Sequence, residues 1–312
     1  MNLPSSVVSL ILNSCSDSTW KQYKCTLIKF YNFCNLNNCS NDNTVKPILM
    51  YLTSLYEAGA SYSRLNLARS ALSTCLDKID NHNVGTHPLV VRLMKGVYRL
   101  RPPSAKYSYI WDVNLVFNII KSWGPNSCSS LESLTMKLCG LLALSTGQRV
   151  QTLASIFVEN ILMKEPVEIK ITKILKTSRV GSKQPLLVLP SFTDESLCVV
   201  KCLQQYLLVT REFRVTGQLF ISYKQPHKPV TTQTISRWLC NLLKLCKIDT
   251  NVFKSHSFRH SSVSKAAKIG VSTDMIFAAA HWSAGSKMFA KFYNRPIVSR
   301  CDFAHSLVSN VN

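Results

Sequence analysis

Residues 1 to about 100 carry apolar side chains at the three- and four-residue spacing of amphipathic helices. Ser16 or Ser18 can cap the first of these helices. Its apolar face comprises Trp20, Tyr23, Leu27, Phe30 and Tyr31. Further helices are predicted from about Val45 to Tyr56, from Tyr62 to Leu76, and from the pair His87-Pro88 onwards. The pattern therefore predicts a small, wholly helical domain.

In the remainder of the chain, apolar residues mostly keep the helical spacing, and one segment has a strand-like pattern instead. Helices are predicted over residues 113–122, 131–145, 150–157, 194–213 and 231–247. In between, VEIKIT and PLLVLP have the composition of strands and flank the turn-rich segment KTSRVGSKQ, which predicts a β-hairpin over residues 167–190. LFIS at 219–222 predicts one more short strand. The predicted fold class is mainly α with a small β-sheet.

A proline pair separates the two parts. The segment RPPSAK at 101–106 is stiff and basic, as interdomain connectors often are. We predict a helical domain over residues 1–102, a basic linker over 103–108, and a larger domain over 109–312.

The charge balance favours a polyanionic partner. The chain has 37 Lys and Arg against 16 Asp and Glu, a formal net charge of +21. Nucleic acid is the first candidate, and anionic membranes or mere solubility are the alternatives. Apolar runs stay below the roughly 18 residues of a membrane span, and no basic residue precedes the apolar patch 7–12, so neither a span nor a signal peptide is expected.

Part of the positive charge lies at helical spacing in the first domain and continues into the linker. These side chains form either a solvated face or a set of phosphate contacts, and we predict the latter. The predicted nucleic-acid-binding residues are Arg64, Arg69, Arg92, Lys95, Arg99, Arg101 and Lys106.

The 12 cysteines do not have metal-site spacing, because C-x-x-C is absent. The closest pairs are Cys34/Cys39, Cys198/Cys202 and Cys240/Cys246. Most lie in apolar helical runs, which predicts reduced, structural thiols in an intracellular protein and no bound metal.

The candidate chemistry lies near the C-terminus. His256 and Arg259 are three residues apart, on one face of a helix. The pair His281-Trp282 follows, and Tyr293 comes after an apolar run. Together these residues predict a phosphate-handling site with its own nucleophile. Acidic residues are too scarce for a two-metal nuclease site.

Five short motifs, in this order, resemble those of the tyrosine recombinases, or phage-integrase family. TGQR ending at Arg149 is similar to the first arginine box, and Lys176 lies in the predicted hairpin turn where that family has a lysine. HSFR from His256 to Arg259 is similar to the H-x-x-R box. Trp282 and Tyr293 occupy the positions of the His/Trp and of the nucleophile.

The resemblance implies a SAM-like core-binding domain and a catalytic domain that form a C-shaped clamp around double-stranded DNA. It implies that Arg149 and Arg259 hold the non-bridging phosphate oxygens, that His256 is the base, and that Tyr293 attacks. Lys176 would protonate the leaving oxygen, with Lys173 and Lys183 as competitors. Trp282, or else His281, would donate a hydrogen bond to the phosphate. No cofactor is implied.

A finer resemblance, to the recombinases of crypton and DIRS-like mobile elements, rests on SYSRLNLARSALS and HPLVVRLMKGVYRLRPPSAKYSYIWDV. It implies a site-specific recombinase or integrase in the nucleus, a dimer on one DNA site and a homotetramer on two. A domesticated DNA-binding protein and a type IB topoisomerase-like enzyme are the alternatives.

Two features qualify the resemblance. Thr152 stands where the family often has an acidic residue, which predicts a less ordered site. The tail after Tyr293 predicts a short helix through Phe303, Leu307 and Val308, which would dock on a neighbouring protomer or on its own domain.

Overall fold

The computed structural model describes residues 3–39, 44–104, 106–178, 181–283, 286 and 289–297. The chain divides into two compact units, Met1–Ser104 and Ala105–Asn312. They are called the N-terminal unit and the C-terminal unit.

Five helices form the N-terminal unit among its described residues. They are α1 (Ser5–Leu12), α2 (Asp17–Leu36), α3 (Lys46–Glu57), α4 (Tyr62–Cys75) and α5 (Pro88–Leu100). The predicted cap is confirmed, because the Ser16 side chain accepts a hydrogen bond from the Thr19 N–H. Helix α1 was not separately predicted, and none of its residues is buried.

The core of the N-terminal unit includes Phe30 of the predicted apolar face of α2, whereas Tyr31, predicted on the same face, is exposed. Phe30 of α2, Leu52 of α3, Leu72 of α4 and Val90 of α5 are all buried in one cluster. Burying such side chains contributes roughly 1.5–3 kcal/mol each. Helices α2 to α5 therefore fold around a common centre.

Seven α-helices lie in the described part of the C-terminal unit. They are α6 (Val113–Ser122), α7 (Leu131–Thr146), α8 (Val150–Ala154), α9 (Val199–Thr210), α10 (Thr232–Leu245), α11 (Ser257–Lys268) and α12 (Thr273–Ala280), followed by a π-helical turn at Phe289–Tyr293. Helix α8 is shorter than predicted, because the chain turns into a 3₁₀ segment at Val158–Asn160. Helix α9 begins at Val199, later than predicted.

The predicted β-hairpin is present, with one additional strand. Strands β1 (Ile161–Leu162), β2 (Val167–Lys170) and β3 (Leu186–Leu189) pair antiparallel in the order β1-β2-β3. Val167 lies opposite Leu189. The strand predicted at 219–222 is wrong, because that segment forms only a single-residue bridge, Ile221 with Pro229, within the described residues.

Helix α7 is the centre of the C-terminal unit, and 12 of its 16 residues are buried. Gly140 lets α10 approach closely, since a Cβ there would lie 2.6 Å from Leu242 Cδ2. Among the described residues, none of the helices combines the length and the apolar character needed to cross a bilayer.

Candidate active site

Helix α11 carries the H-x-x-R motif and is fixed to the segment that begins the C-terminal unit. The Trp111 indole N–H donates to Ser257 Oγ at 2.8 Å, and Ser261 Oγ donates to the Trp111 carbonyl at 2.9 Å. Both serines are buried. Because these bonds lie one turn apart, they set the rotation of α11 about its axis, and with it the direction of the motif.

The Arg259 guanidinium lies at the centre of the site and is 1% exposed. Nη1 donates to the Gly147 carbonyl at 2.8 Å and Nη2 to the Ala280 carbonyl at 2.9 Å. Its carbon lies 4.3 Å from the centre of the Trp282 ring. Burial, together with the charge of Arg149, lowers the pKa of Arg259 to about 10, so the group remains a cation at neutral pH.

The turn between α7 and α8 contributes both a carbonyl and the second arginine. Gly147 ends α7 with φ of 57°, a left-handed conformation that favours glycine. This conformation presents its carbonyl to Arg259. Arg149 follows as the N-terminal flanking residue of α8 and is half-buried. The Gln148 amide donates to the Ala279 carbonyl at 2.6 Å, which ties the turn to α12.

Tyr293 lies in the same site, with its hydroxyl 3.0 Å from His256 Nε2. The tyrosine is buried, and its own carbonyl accepts a hydrogen bond from Ser264 Oγ at 2.6 Å. The Arg295 N–H donates to the same Ser264 oxygen at 3.2 Å. The tyrosine segment is thus anchored to α11, the helix that carries the motif.

His256 is held in its neutral form. Burial lowers its pKa to about 4, and the charges of Arg259, Arg149 and Lys106 act in the same direction. In the tautomer protonated at Nδ1, Nε2 is free to accept the Tyr293 proton. Lys106, predicted as a linker residue, therefore lies within electrostatic range of this imidazole.

His260 is a residue of the site that the sequence analysis missed. Its ring stacks on the Tyr293 ring with centres 4.1 Å apart and planes 18° apart. The available signal was its spacing, because His256 and His260 are four residues apart and so share one face of α11.

The His281-Trp282 pair lies at the end of α12. The Trp282 ring contacts Tyr293, with centres 4.8 Å apart, and Phe289, with centres 5.8 Å apart. The pKa of His281 is lowered by partial burial and by the charges of Arg149 and Arg259. Both side chains are thus near the cations, and the choice between them as phosphate donor stays a prediction.

Lys176 lies on the loop between β2 and β3, where the sequence pattern predicts it, and its side chain is exposed. Its backbone N–H donates to Gln151 Oε1 at 3.3 Å, which attaches the loop to α8 two residues after Arg149. Lys173 and Lys183 are also exposed.

At the position of the missing acid, the Thr152 hydroxyl donates to Gln148 Oε1 at 3.3 Å. Thr152 is 2% exposed. A neutral hydroxyl–amide pair thus supports the turn, without a negative charge.

The predicted DNA-binding side chains of the N-terminal unit differ in how free they are. Arg101 is half-buried, and its Nη1 donates to the carbonyls of Tyr56 at 3.2 Å and Ala60 at 2.8 Å. Arg101 therefore also has a structural role, because it joins the end of α5 to the end of α3 and the loop that follows it. Arg69 is half-buried, and the exposed side chains are Arg64, Arg92, Lys95 and Arg99. Their contact with DNA stays a prediction.

Part of the predicted C-terminal tail lies outside the described residues. This applies to the helix predicted through Phe303, Leu307 and Val308.

The geometry brings Arg259, His256, Tyr293 and Trp282 into direct contact, with Arg149 close enough to lower the pKa of His256 and of Arg259. Residues 116–296, more than half of the chain, match the model of the phage integrase family. The chain belongs to that family. The family's domain is that of the tyrosine recombinases, and the first level of the sequence resemblance is confirmed.

Solved structures of other phage integrase family proteins share the fold at low identity. The integrase of transposon Tn1549 with transposon right-end DNA is 13% identical, with a TM-score of 0.62, over 95% of this chain and 94% of that one. XerH recombinase bound to a palindromic difH substrate is 16% identical, with a TM-score of 0.63, over 93% and 80%. A lambda integrase dimer bound to a COC′ core site is 17% identical, with a TM-score of 0.56, over 96% and 97%. Comparison with curated proteins gave no match.

Proposed function

We propose that this phage integrase family protein is a site-specific DNA recombinase that cuts and rejoins strands through a covalent 3′-phosphotyrosine. The observation that carries the proposal is the hydroxyl of Tyr293, 3.0 Å from a neutral imidazole nitrogen of His256 and beside the buried cation Arg259. A nucleophile, a proton acceptor and a permanent positive charge are thereby in one place.

In the first step, Tyr293 Oη attacks the phosphorus of a DNA phosphodiester. The Oη–P bond forms, the phenol proton passes to His256 Nε2, and the bond from phosphorus to the 5′-oxygen breaks. Lys176 gives the departing oxygen its proton. Arg149 and Arg259 stabilise the charge on the two non-bridging oxygens, with Trp282 or His281 as a further donor.

In the second step, the free 5′-hydroxyl of another strand attacks the phosphotyrosine. The attacking hydroxyl gives its proton back to Lys176 as the new phosphodiester forms. The P–Oη bond breaks, and the phenol recovers its proton from His256. The number of phosphoester bonds is unchanged at the end, so strand exchange requires no nucleotide hydrolysis.

Double-stranded DNA is the substrate that the charge favours, since the chain carries +21 and a row of exposed cations on α5. We place the protein in a mobile element of the crypton type and in the nucleus, on the sequence resemblance. We also propose that the protein binds one DNA site as a dimer and two DNA sites as a homotetramer.

The test is covalent capture. The protein is incubated with a library of duplexes with a randomised central segment, and DNA that stays attached to protein after denaturation is sequenced. We expect one family of sites to be recovered, and Tyr293→Phe, which removes only the hydroxyl, to recover none. An adduct that persists in Tyr293→Phe would refute the assigned nucleophile.

The recovered site then separates the alternatives. Exchange of strands between two labelled duplexes is the expected outcome. Relaxation of a supercoiled plasmid without exchange would instead indicate a topoisomerase-like enzyme. Tight binding without an adduct would indicate a DNA-binding protein that has kept the fold.

A further inference from the structure

The second histidine of α11 is in contact with the nucleophile but has no step in the mechanism above. Its ring lies face to face with the Tyr293 ring, with centres 4.1 Å apart and planes inclined by 18°. The other two aromatic neighbours of this phenol meet it at steep angles, 76° for His256 and 61° for Trp282. His260 therefore covers one face of the ring.

His260 is itself rigidly held. It is 4% exposed, and the Tyr107 ring meets it edge-on at 4.9 Å with an angle of 89°. It lies in the second turn of α11, whose rotation is fixed by the serine–tryptophan bonds. A ring that cannot move makes a fixed support for the ring stacked on it.

The same geometry excludes His260 as the proton acceptor. Its contact with Tyr293 is through the ring face, whereas the Tyr293 hydroxyl is bonded to His256 Nε2. Nδ1 of His260 is buried and has no hydrogen-bond partner among the residues that the structure describes. Burial lowers its pKa to about 3, with the proximity of His256 and the charges of Arg259, Arg295 and Lys106 acting in the same direction, so the stacked ring is neutral at physiological pH.

We propose that His260 is a positioning residue for the nucleophile, whose flat ring holds the Tyr293 phenol in the orientation from which Oη attacks. This inference rests on the proposed function. The phenol is fixed by its hydroxyl at one end and by its backbone carbonyl, bonded to Ser264, at the other. Without the stacked ring, it gains freedom to swing between those two points.

The expected consequence is a loss in rate without a loss in binding. A poorly oriented reacting group can lower a rate by about 100-fold. We therefore expect His260→Ala to slow single-turnover adduct formation about 10- to 100-fold on the site recovered by covalent capture. His260→Phe keeps a flat ring and should stay within about 3-fold of the unaltered protein, since it retains the aromatic stacking.

Two further variants serve as controls. Ile120→Val weakens the buried core of α6 away from the site and should leave the adduct rate unchanged when each protein is measured equally far below its melting temperature. His260→Leu fills similar volume without a flat ring. If His260→Ala does not fold, the test is the comparison of His260→Phe with His260→Leu. Adduct formation should be about 2- to 10-fold faster in the Phe variant.

Equal rates for His260→Ala and the unaltered protein would overturn the inference. So would a His260→Phe variant as slow as Ala, because the ring nitrogens would then matter rather than the stacking. Equal rates for Phe and Leu would do the same. If the unaltered protein forms no adduct, the proposed function fails and this inference fails with it, whereas the other results refute only the role of His260.

Discussion

The helices α5 and α11 both carry arginines, but in opposite surroundings. On α5, Arg92 and Arg99 are exposed, with apolar Met94 and Val97 on the buried side. On α11, Arg259 is 1% exposed, and two of its nitrogens are bonded to backbone carbonyls.

This difference in exposure predicts that the arginines of α5 contribute to DNA affinity, whereas Arg259 contributes to the chemical step. Exposed cations act through a field that salt screens, and their contacts with phosphates release counterions. A buried guanidinium acts at short range, in a fixed direction and with little screening. We therefore expect changes on α5 to alter binding and its salt dependence, and changes on α11 to alter the cleavage rate.

The largest effect is expected from Arg259→Lys. A lysine keeps the charge but lacks the planar fork with which Arg259 bonds the carbonyls of Gly147 and Ala280. Removal of one such donor typically costs about 10²–10³ in rate. The single-turnover rate of adduct formation should fall by that factor, while the dissociation constant for DNA stays nearly constant.

The matched control is Arg92→Lys on α5, which should leave the adduct rate unchanged. A comparable fall in both variants would contradict the separation of roles. Melting temperatures of both proteins show whether the Arg259 change acts through folding.

The next effect concerns the proton of the leaving group. Lys176→Ala should slow cleavage by about 10²-fold, the contribution of a general acid. A substrate with sulfur in place of the bridging 5′-oxygen should restore the rate, because a thiolate leaves without a proton. Lys173→Ala and Lys183→Ala, exposed on the same loop, are the matched controls. If the sulfur-containing substrate instead restored the rate of one of these two control variants, the lysine replaced in that variant would be the general acid.

A smaller effect is expected from α5. Replacing Arg92, Lys95 and Arg99 together by Ala should lower the slope of log affinity against log salt by up to about 3, since each phosphate contact contributes about 0.9. The adduct rate at saturating protein should not change. An unchanged salt slope would show that this face does not contact DNA.

The smallest effect is on stability at acid pH. An unfolded imidazole binds a proton below about 6.5, but His256 does so only below about 4 and His260 below about 3. The unfolded state thus binds more protons in this window, so stability is complete above pH 6.5 and decreases as pH falls towards 3.

His260→Phe removes one of these two protonations. From pH 7 to pH 5.5, this protonation costs the unaltered protein about 1.3 kcal/mol of stability. The Tm of the variant should therefore fall by about 3–5 °C less over that range, as measured by thermal denaturation at each pH. An equal fall in both proteins would contradict the buried, neutral state of His260.

Much of the fold follows from the sequence pattern because local rules decide it. Ser16 caps α2, Gly147 ends α7, and the alternation in VEIK and LLVL forms β2 and β3. The strand predicted at 219–222 was wrong for a non-local reason. A strand needs a partner in register, and Ile221 meets Pro229 for one residue only.

The same distinction between local and non-local signals applies to the residues of the site. Arg259, His256 and Tyr293 are recognisable because their chemistry and order carry a signal, and their convergence agrees with the resemblance. His260 carries no such signal, since its significance is a ring contact with a residue 33 positions further along the chain. The second role of Arg101, closing the loop between α3 and α4, also depends on a non-local hydrogen bond.

Arg259 joins the end of α7 to the end of α12 through the carbonyls of Gly147 and Ala280. A descendant that had abandoned catalysis would still need this side chain to keep its shape. Retention of Arg259 in such a descendant would therefore reflect its structural role. Loss of the Tyr293 hydroxyl or of the exposed Lys176 ammonium would cost little stability. On the proposed function, we expect relatives that lack either of those two groups to bind DNA without cutting it.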